Sequence, residues 1–319
     1  MHMKRIAILL CALSLCLFGA SVSQAAKFPE KPVTYLIPFN PGGESDIFAR
    51  AQQPLMEKEL GTNVLISYKT GGGGSVGWGE LVRSKPDGYF SAGFNLPHII
   101  LQPLQRKSSG YQTKDIEPVM IFMSTPNILA VPKDSPINTL ADFIKVAKEK
   151  PGAMTLGGSG SNTANHLGVV SLNKLADVTI SYVPFTGTGD AMPAFLGGHV
   201  NGLMTYTTMG IQYKNDMKVL AVATEERFPG LPDVPTFKEL GYNLVEGAYR
   251  GLAVPPKTPK AVVDILYNAC AKANANPEFA KKMLDLGFNL ENLDAEASNK
   301  LIDEKIEAYK SVLADLAAK

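Results

Sequence analysis

Residues 33–43 read VTYLIPFNPGG, and this stretch sets the architecture of the chain. Its first seven residues are apolar enough for a buried strand, which leads through a Pro-Gly-Gly turn into a helical pattern that continues to Leu60. The same succession of strand, glycine-rich turn and helix recurs further along. Strands that alternate with helices of this length predict an α/β fold, with parallel-rich sheets flanked by helices.

The predicted elements extend over most of the chain. Strands are predicted at residues 33–39, 64–68, 89–94, 154–156, 180–184, 200–204 and 218–224. Helices are predicted near residues 140–149, 162–175 and 190–196, and almost wholly from Pro259 onward, with breaks near Pro277 and Gly287. Residues 127–131 and 250–254 would suit a pair of hinge strands. Periodicity alone leaves open whether one lobe follows the other or the chain crosses between two lobes twice.

The composition fits two lobes and argues against binding of nucleic acid. The chain has 319 residues, 31 Lys and Arg against 30 Asp and Glu, and 45% hydrophobic residues. At about 150 residues per domain, this length predicts two lobes with a substantial core. Binding to phosphates normally shows as a basic excess, which is missing here. Any anionic ligand must therefore be held by local chemistry rather than by the overall field.

The first 25 residues are typical of an export signal. Lys4 and Arg5 precede an apolar run over residues 6–20, and Ser23-Gln24-Ala25 predicts cleavage after about Ala25. The alternative, a membrane anchor, needs about 20 apolar residues, and this run is shorter. No later stretch is long enough to span a bilayer, so we expect a soluble, exported protein. Cys270 is then the one cysteine left, without a disulfide partner, and we expect it in the core.

Three glycine-rich turns are candidates for a ligand site, namely residues 40–43, 71–77 and 157–163. In a parallel sheet such turns gather at the carboxyl ends of the strands, where ligands bind. Glycine lets the backbone approach a ligand closely, and the free N–H groups at the start of the following helix favour an anion. The alternative is that these segments are merely tight turns and helix caps. Hydroxyl and amide side chains that could add hydrogen bonds are Ser159, Ser161, Asn162 and Thr163.

Enzyme motifs are incomplete in this sequence. Gly72-x-Gly74-x-x-Gly77 has the spacing of a dinucleotide site, but the next strand ends at Asn95 instead of the expected acidic residue. The 157–161 segment lacks the final glycine of a nucleophile elbow. The histidines are too far apart for a metal site. We therefore predict no catalytic residues, no metal and no cofactor.

For two side chains the sequence leaves open whether their role is binding or structural. His166 lies one turn after Thr163 and could orient the loop or touch a ligand, although packing is the commoner role for such a histidine. Arg250 lies in a short strand-like run. If that run crosses the hinge, its guanidinium could form a bidentate pair with a carboxylate. The alternative for Arg250 is a structural salt bridge between the lobes.

These segments together resemble the extracytoplasmic solute receptors of tripartite tricarboxylate transporters, the Bug receptor family. The resemblance covers essentially the whole mature sequence. Each motif is weak alone, but their order is specific: residues 38–43 with Asp46, Ala49 and Arg50; residues 86–89; residues 160–167; residues 183–187 with Gly197 and Gly198; and residues 231–236.

The resemblance implies a two-lobed type II periplasmic-binding fold that closes on a small carboxylate. It implies a first lobe from residues 26–126, a second lobe from 127–248, and a return to the first lobe over 249–319. In the family, backbone amides and waters from one loop of each lobe hold the anion. The residues that we expect at the ligand are Phe39, Asn40, Gly42, Gly43, Gly74, Ser75, Asn95, Ser159, Ser161, Asn162, Thr163, His166, Thr186, Gly187, Thr205 and Arg250.

Departures from the family pattern suggest the ligand class. Ser67-Tyr68 stands where Glu-Asn is frequent, Asn201 where Asp is frequent, and Arg250 where the residue is often neutral. Fewer acidic groups and an added Arg favour a more anionic ligand, so the hypothesis is a di- or tricarboxylate such as citrate or a C4-dicarboxylate. The expected protein is a periplasmic monomer that delivers its ligand to the transporter's membrane subunits. An exported α/β hydrolase and a sensory receptor are the alternatives.

Overall fold

The computed structural model describes residues 28–106 and 108–317, with side chains as far as residue 310. The predicted signal segment and its cleavage site lie outside the described residues. The strands are β1 (Val33–Ile37), β2 (Val64–Tyr68), β3 (Phe90–Leu96), β4 (Glu117–Pro132), β5 (Thr155–Gly158), β6 (Ser181–Pro184), β7 (Gly202–Tyr206), β8 (Met217–Val222), β9 (Gly247–Val254) and β10 (Asn289–Asp294). The helices are α1 (Glu44–Leu60), α2 (Ser75–Leu81), α3 (His98–Gln105), α4 (Leu140–Glu149), α5 (Ala164–Ala176), α6 (Thr188–Leu196), α7 (Thr207–Gln212), α8 (Lys260–Asn274), α9 (Pro277–Asp285) and α10 (Ala295–Ala317).

Two sheets share one long strand. The first sheet has the order β2-β1-β3-β9-β4-β10, and the second joins β6, β5, β7 and β8 to the other half of β4. Strands β1, β2 and β3 pair in parallel, as do β5, β6 and β7, which is the pairing that the sequence predicts. All pairs that involve β4 or β9 are antiparallel. The α/β, two-lobed fold class is confirmed, and antiparallel pairing is confined to the strands around the connection between the lobes.

The chain crosses between the two sheets along β4 and again near residue 246. Residues 117–126 of β4 pair with β9, whereas residues 127–132 pair with β7 and β8. At the crossing, the Asn127 N–H donates to the Glu246 carbonyl at 2.9 Å, and the Ala223 N–H donates to the Asn127 carbonyl at 2.8 Å. The interpretation of residues 127–131 and 250–254 as paired hinge strands is therefore wrong. Residues 127–131 pair within the second sheet and residues 250–254 within the first, so the two segments do not pair with each other.

The carboxyl-terminal part packs on the amino-terminal part. Phe48 of α1 stacks on Phe122 of β4 with ring centroids 4.8 Å apart, and Phe279 and Phe288 meet its edges. Cys270 is buried in the same cluster, as expected. The second sheet has a separate core around Phe143, Leu172, Met204 and Phe237. Among the described residues, no helix is both long and apolar enough to cross a membrane.

The carboxyl-terminal part is not wholly helical, which corrects one prediction. β10 lies between α9 and α10 and pairs with residues 120–124 of β4, with a register shift between Leu290 and Leu293. The strand is short and sits on the edge of the sheet, so its sequence shows no strict alternation of buried and exposed residues. Two short helices that follow strand ends directly, α3 and α7, were also not predicted.

Glu246 couples the crossing to the carboxyl-terminal helix. Its Oε1 accepts a hydrogen bond from the Gly247 N–H at 2.9 Å and from the Tyr309 hydroxyl of α10 at 3.3 Å. Burial raises the pKa of Glu246 from 4.5 to about 7, and the nearby Lys305 charge opposes the shift. The folded protein therefore holds a proton on this carboxyl at pH values where the unfolded chain has lost it.

We expect the free energy of unfolding to fall as pH rises from about 4.5 through 7. A carboxyl whose pKa is raised by folding contributes stability that is complete below 4.5 and is lost as pH passes through the folded value. In Glu246→Gln this decline should be smaller. Urea unfolding at a series of pH values measures it, and Glu307→Gln, on an exposed part of α10, is the matched control. A wild-type pH profile in Glu246→Gln would contradict the assignment.

Candidate functional site

A small cavity lies between the two lobes, where strand ends meet helix starts. The space between its lining residues is about 250 Å³, part of which is open to solvent. The residues come from the ends of β1, β3, β5 and β7, from the starts of α1, α3 and α6, and from the middle of β9. We call this the inner cavity, and it is lined by Phe39, Gly43, Glu44, Ser45, Asn95, His98, Ser159, Thr188, Tyr206 and Arg250.

A buried ion pair forms one wall of the inner cavity. Arg250 Nη2 contacts Glu44 Oε2, and the two residues are only 3% and 2% exposed. The Thr125 hydroxyl donates to Glu44 Oε2 at 3.0 Å, and the Thr208 hydroxyl donates to Oε1. Burial raises the pKa of Glu44, while the Arg250 charge and the two hydroxyls oppose the shift. Because the two ions are desolvated together, each depends on the other.

Further contacts fix the Arg250 guanidinium in one orientation. Its Nη1 contacts the Thr125 hydroxyl, and its plane lies over the Tyr206 ring, 4.6 Å from the centroid. With the Asn95 amide placed so that both of its ends are satisfied, the Asn95 oxygen accepts from Arg250 Nε at 3.2 Å. The sequence left a ligand contact and an inter-lobe salt bridge open for Arg250. Its partner Glu44 begins α1, whose Phe48 packs on the sheet that contains β9, so this salt bridge does not join the two sheets.

The pair also corrects the expected charge of the cleft. The added Arg250 suggested a more positive site, but Glu44 neutralises it. His98 does not restore a positive charge, because burial and then the nearby Arg250 charge hold its pKa well below the ordinary value. Its Nδ1 has no hydrogen-bond partner in the described part of the chain. Neutral donors and helix starts, rather than a net positive charge, are what the inner cavity offers a ligand.

The loop at residues 159–163 uses its polar side chains to hold its own shape. The N–H and hydroxyl of Ser159 both donate to Asn165 Oδ1, at 3.0 and 2.7 Å. Thr163 caps α5, and its hydroxyl donates to the Gly160 carbonyl at 2.8 Å. His166 Nδ1 accepts from the Asn162 N–H at 3.1 Å. This bond lets His166 orient the loop, and a contact between His166 and a ligand stays a prediction.

The two lobes touch directly across the cleft. Gln102 of α3, which is fully buried, donates from Nε2 to the Ser161 carbonyl at 2.7 Å and to the Asn162 carbonyl at 3.3 Å. On the other side of the inner cavity, Asn40 donates to the Asp190 carboxylate. The backbone also approaches closely there, since a Cβ at Gly189 would lie 2.6 Å from the Pro41 carbonyl. These contacts hold the loops of both lobes against each other.

The predicted ligand residues fall into three groups in the structure. Five line the inner cavity: Phe39, Gly43, Asn95, Ser159 and Arg250. Gly74, Ser161 and Thr186, with Ser159 again, line a neighbouring outer cavity of about 510 Å³ that also contains Arg106. The others are placed at neither cavity: Asn40, Gly42, Ser75, Asn162, Thr163, His166, Gly187 and Thr205.

Sequence reasoning missed five lining residues: Glu44, Ser45, His98, Thr188 and Tyr206. The sequence feature that could have identified them was their position just after predicted turns and strand ends. Glu44 and Ser45 directly follow the first predicted turn, and His98 follows the end of a predicted strand by a few residues. No group of three or more His, Cys, Asp or Glu among the described residues is arranged to hold a metal ion.

Comparisons with known proteins agree on one relationship. The family described as "Tripartite tricarboxylate transporter family receptor" (TctC) matches residues 48–317. A protein of Cupriavidus necator, described as the UPF0065 protein in the gbd 5′ region, is 31% identical over 92% of this chain and 90% of its own length.

Solved structures give the same result. The periplasmic binding protein BugD is 30% identical, with a TM-score of 0.86 over 90% of this chain and 98% of its own. MatC of Rhodopseudomonas palustris, solved with bound malate, is 27% identical, with a TM-score of 0.85 over 89% of this chain and 99% of its own.

The ion pair predicts a strong energetic coupling. Glu44→Gln and Arg250→Met should each lower the free energy of unfolding by about 3 kcal/mol, because each leaves a buried charge without its partner. The double variant should lose at least about 1 kcal/mol less than the sum of the two. Urea unfolding measures the cycle. The same cycle on the exposed pair Lys281–Asp285 should couple by less than about 0.5 kcal/mol. Additive losses at Glu44 and Arg250 would contradict the pairing.

Proposed function

We infer what this chain binds from the fact that it belongs to the tripartite tricarboxylate transporter receptor family. Family members are periplasmic solute-binding receptors that take small carboxylates and work with a transporter. The chain is accordingly a periplasmic solute-binding protein and not an enzyme, as the sequence predicted, and the hydrolase alternative does not stand.

We propose that the inner cavity captures a di- or tricarboxylate, such as citrate or a C4-dicarboxylate. The observation that carries the proposal is the convergence of neutral donors, the starts of α1, α3 and α6 and the buried Arg250 on one small cavity. Helix starts present free N–H groups and partial positive charge, which suit a carboxylate without a net positive site. The malate bound to MatC, a relative with the same fold, supports the C4-dicarboxylate class.

In this proposal the ligand is held from both lobes. We take the first lobe as residues 26–126 and 249–319, and the second lobe as residues 127–248. Arg250, His98 and Asn95 contact it from the first lobe, and Thr188 and Tyr206, which also line the cavity, contact it from the second. Predicted residues that line neither cavity act by shaping the loops. Since the ligand contacts both lobes, it favours the state in which they are closed.

The closed receptor then delivers the ligand to the membrane subunits of a tripartite tricarboxylate transporter, and it does so as a monomer. Residues 1–25 act as the export signal and are removed after about Ala25. The contacts from Gln102 to the 161–162 backbone and from Asn40 to Asp190 lie beside the inner cavity, so they form only when the lobes meet. They give the closed state a surface that the membrane subunits could recognise.

A thermal-shift screen of ligand-free mature protein tests the proposal. The panel holds citrate, malate, succinate, aspartate and aromatic diacids. A ligand at 100 times its dissociation constant should add about 2.7 kcal/mol of stability, which a melting curve resolves. Because charged hydrogen bonds contribute about 1.5–3 kcal/mol each, Arg250→Ala and His98→Ala should weaken the bound acid roughly ten-fold or more.

The matched control is Arg83→Ala, which removes an exposed guanidinium that contacts the Gly110 carbonyl far from the cavity. It should bind as wild type does. Absence of a shift with every acid, in protein verified free of co-purified ligand, would contradict the carboxylate assignment. Wild-type affinity in both Arg250→Ala and His98→Ala would contradict the site while leaving the ligand class intact.

A further inference from the structure

Glu44 is the one carboxylate among the residues that line the inner cavity. We propose that it makes the cavity selective for a carboxylate that carries a proton donor, a hydroxyl or an ammonium group, on the neighbouring α-carbon. The inference rests on the carboxylate function proposed above and specifies it further. Its basis is the hydrogen-bonding capacity that the protein leaves unused around the Glu44–Arg250 pair.

Glu44 retains one place for a donor. A carboxylate offers about four lone-pair sites. Oε2 receives the Thr125 hydroxyl and Arg250, and Oε1 receives the Thr208 hydroxyl. The remaining site is on Oε1, and Glu44 borders the cavity although it is 2% exposed. When a ligand displaces water from the cavity, a buried acceptor in this position needs a donor that the ligand brings.

Arg250 retains donors for an acceptor that the ligand brings. Of the five N–H donors of a guanidinium, three are directed to Glu44, Thr125 and Asn95. The other two remain for a ligand, since Arg250 borders the same cavity. His98 Nδ1 also has no partner among the described residues, but the neutral ring carries only one N–H. The Arg250 donors therefore match the oxygens of one ligand carboxylate.

The adjacency of the two charges sets the spacing of the ligand groups. Arg250 Nη2 and Glu44 Oε2 are in direct contact, so a carboxylate at Arg250 places its α-carbon beside Glu44. A hydroxyl or ammonium group on that carbon reaches the free site on Oε1. A second carboxylate or a bare methylene there would leave the remaining site on Oε1 without a donor, and the carboxylate would also be repelled.

The other acidic side chains near the cleft are already engaged. Asp46 accepts from the Gly42 N–H at 2.8 Å and from the Tyr68 hydroxyl at 2.6 Å, and it pairs with Arg50. Asp190 is bonded to Asn40. Neither residue borders the inner cavity, so selection for a donor falls to Glu44.

Matched acids that differ only at the α-carbon test the proposal by calorimetry on the mature protein. Succinate, malate and aspartate carry hydrogen, hydroxyl and ammonium at the same position, and tricarballylate differs from citrate by one hydroxyl. We expect malate or aspartate to bind at least ten-fold more tightly than succinate, or citrate at least ten-fold more tightly than tricarballylate. A site built to bond a polar group rejects analogues that lack it. Malate above aspartate identifies the hydroxyl, and the reverse order identifies the ammonium group.

A variant connects the preference to Glu44. Glu44→Leu removes the acceptor and should reduce the ratio between substituted and unsubstituted acids to within about three-fold, a loss of at least part of the ~1.4 kcal/mol that a ten-fold ratio represents. Glu59→Leu, on an exposed part of the same helix, should keep the wild-type ratio. If Glu44→Leu does not fold, the wild-type series decides.

The possible results separate this inference from the proposed function. Binding of succinate and tricarballylate within three-fold of their substituted partners would overturn the inference and leave the carboxylate function standing. A wild-type preference that persists in folded Glu44→Leu would also overturn it, because another residue would then select the donor. Binding of none of the five acids would overturn both.

Discussion

The ion pair between Glu44 and Arg250 is the interaction on which the centre of this molecule depends. It joins the first residue of α1 to the middle of β9, and Thr125 adds the end of the first-sheet half of β4. Thr208 and Tyr206 bring the second lobe to the same point. Two buried charges cost desolvation energy that apolar residues would not. The pair therefore adds less stability than its contacts suggest, while it fixes the shape and charge of one wall of the inner cavity.

The sequence predicted helices and strands well where the local residue pattern clearly favoured one of the two. β2 at Val64–Tyr68 and α4 at Leu140–Glu149 have the predicted bounds, because each is set off by glycine, proline or a capping threonine. The change of partner within β4 was beyond reach, since buried residues lie on both sides of the polar stretch at residues 124–127 and nothing local shows which strands pair with each half. β10 depends on pairing with β4 for its existence, and its own residues hardly alternate.

The sequence predicted where the inner cavity lies better than it predicted which side chains line it. The turn at residues 40–43 led to the inner cavity because parallel strand ends must share an edge. Glu44 escaped notice because an acidic residue at a helix start normally serves the helix dipole, and only the distant Arg250 gives it another role. In the loop at 159–163, groups that looked available for a ligand already have partners: the Ser159 hydroxyl donates to Asn165, and the Asn162 N–H donates to His166.

The pairing of β3 with β9 has a consequence for how the chain assembles. The register joins Ala92 to Ala253 and Leu96 to Tyr249, so the strands are roughly 150 residues apart in sequence, and closing so long a loop is slow. The strands of the second sheet all lie within residues 127–222, and the longest closure there, from Ile128 to Val222, spans roughly 90 residues and is shorter. The second lobe can therefore form while β3 still presents an open edge. The ligand cavity, which needs both lobes, is then among the last parts of the molecule to exist.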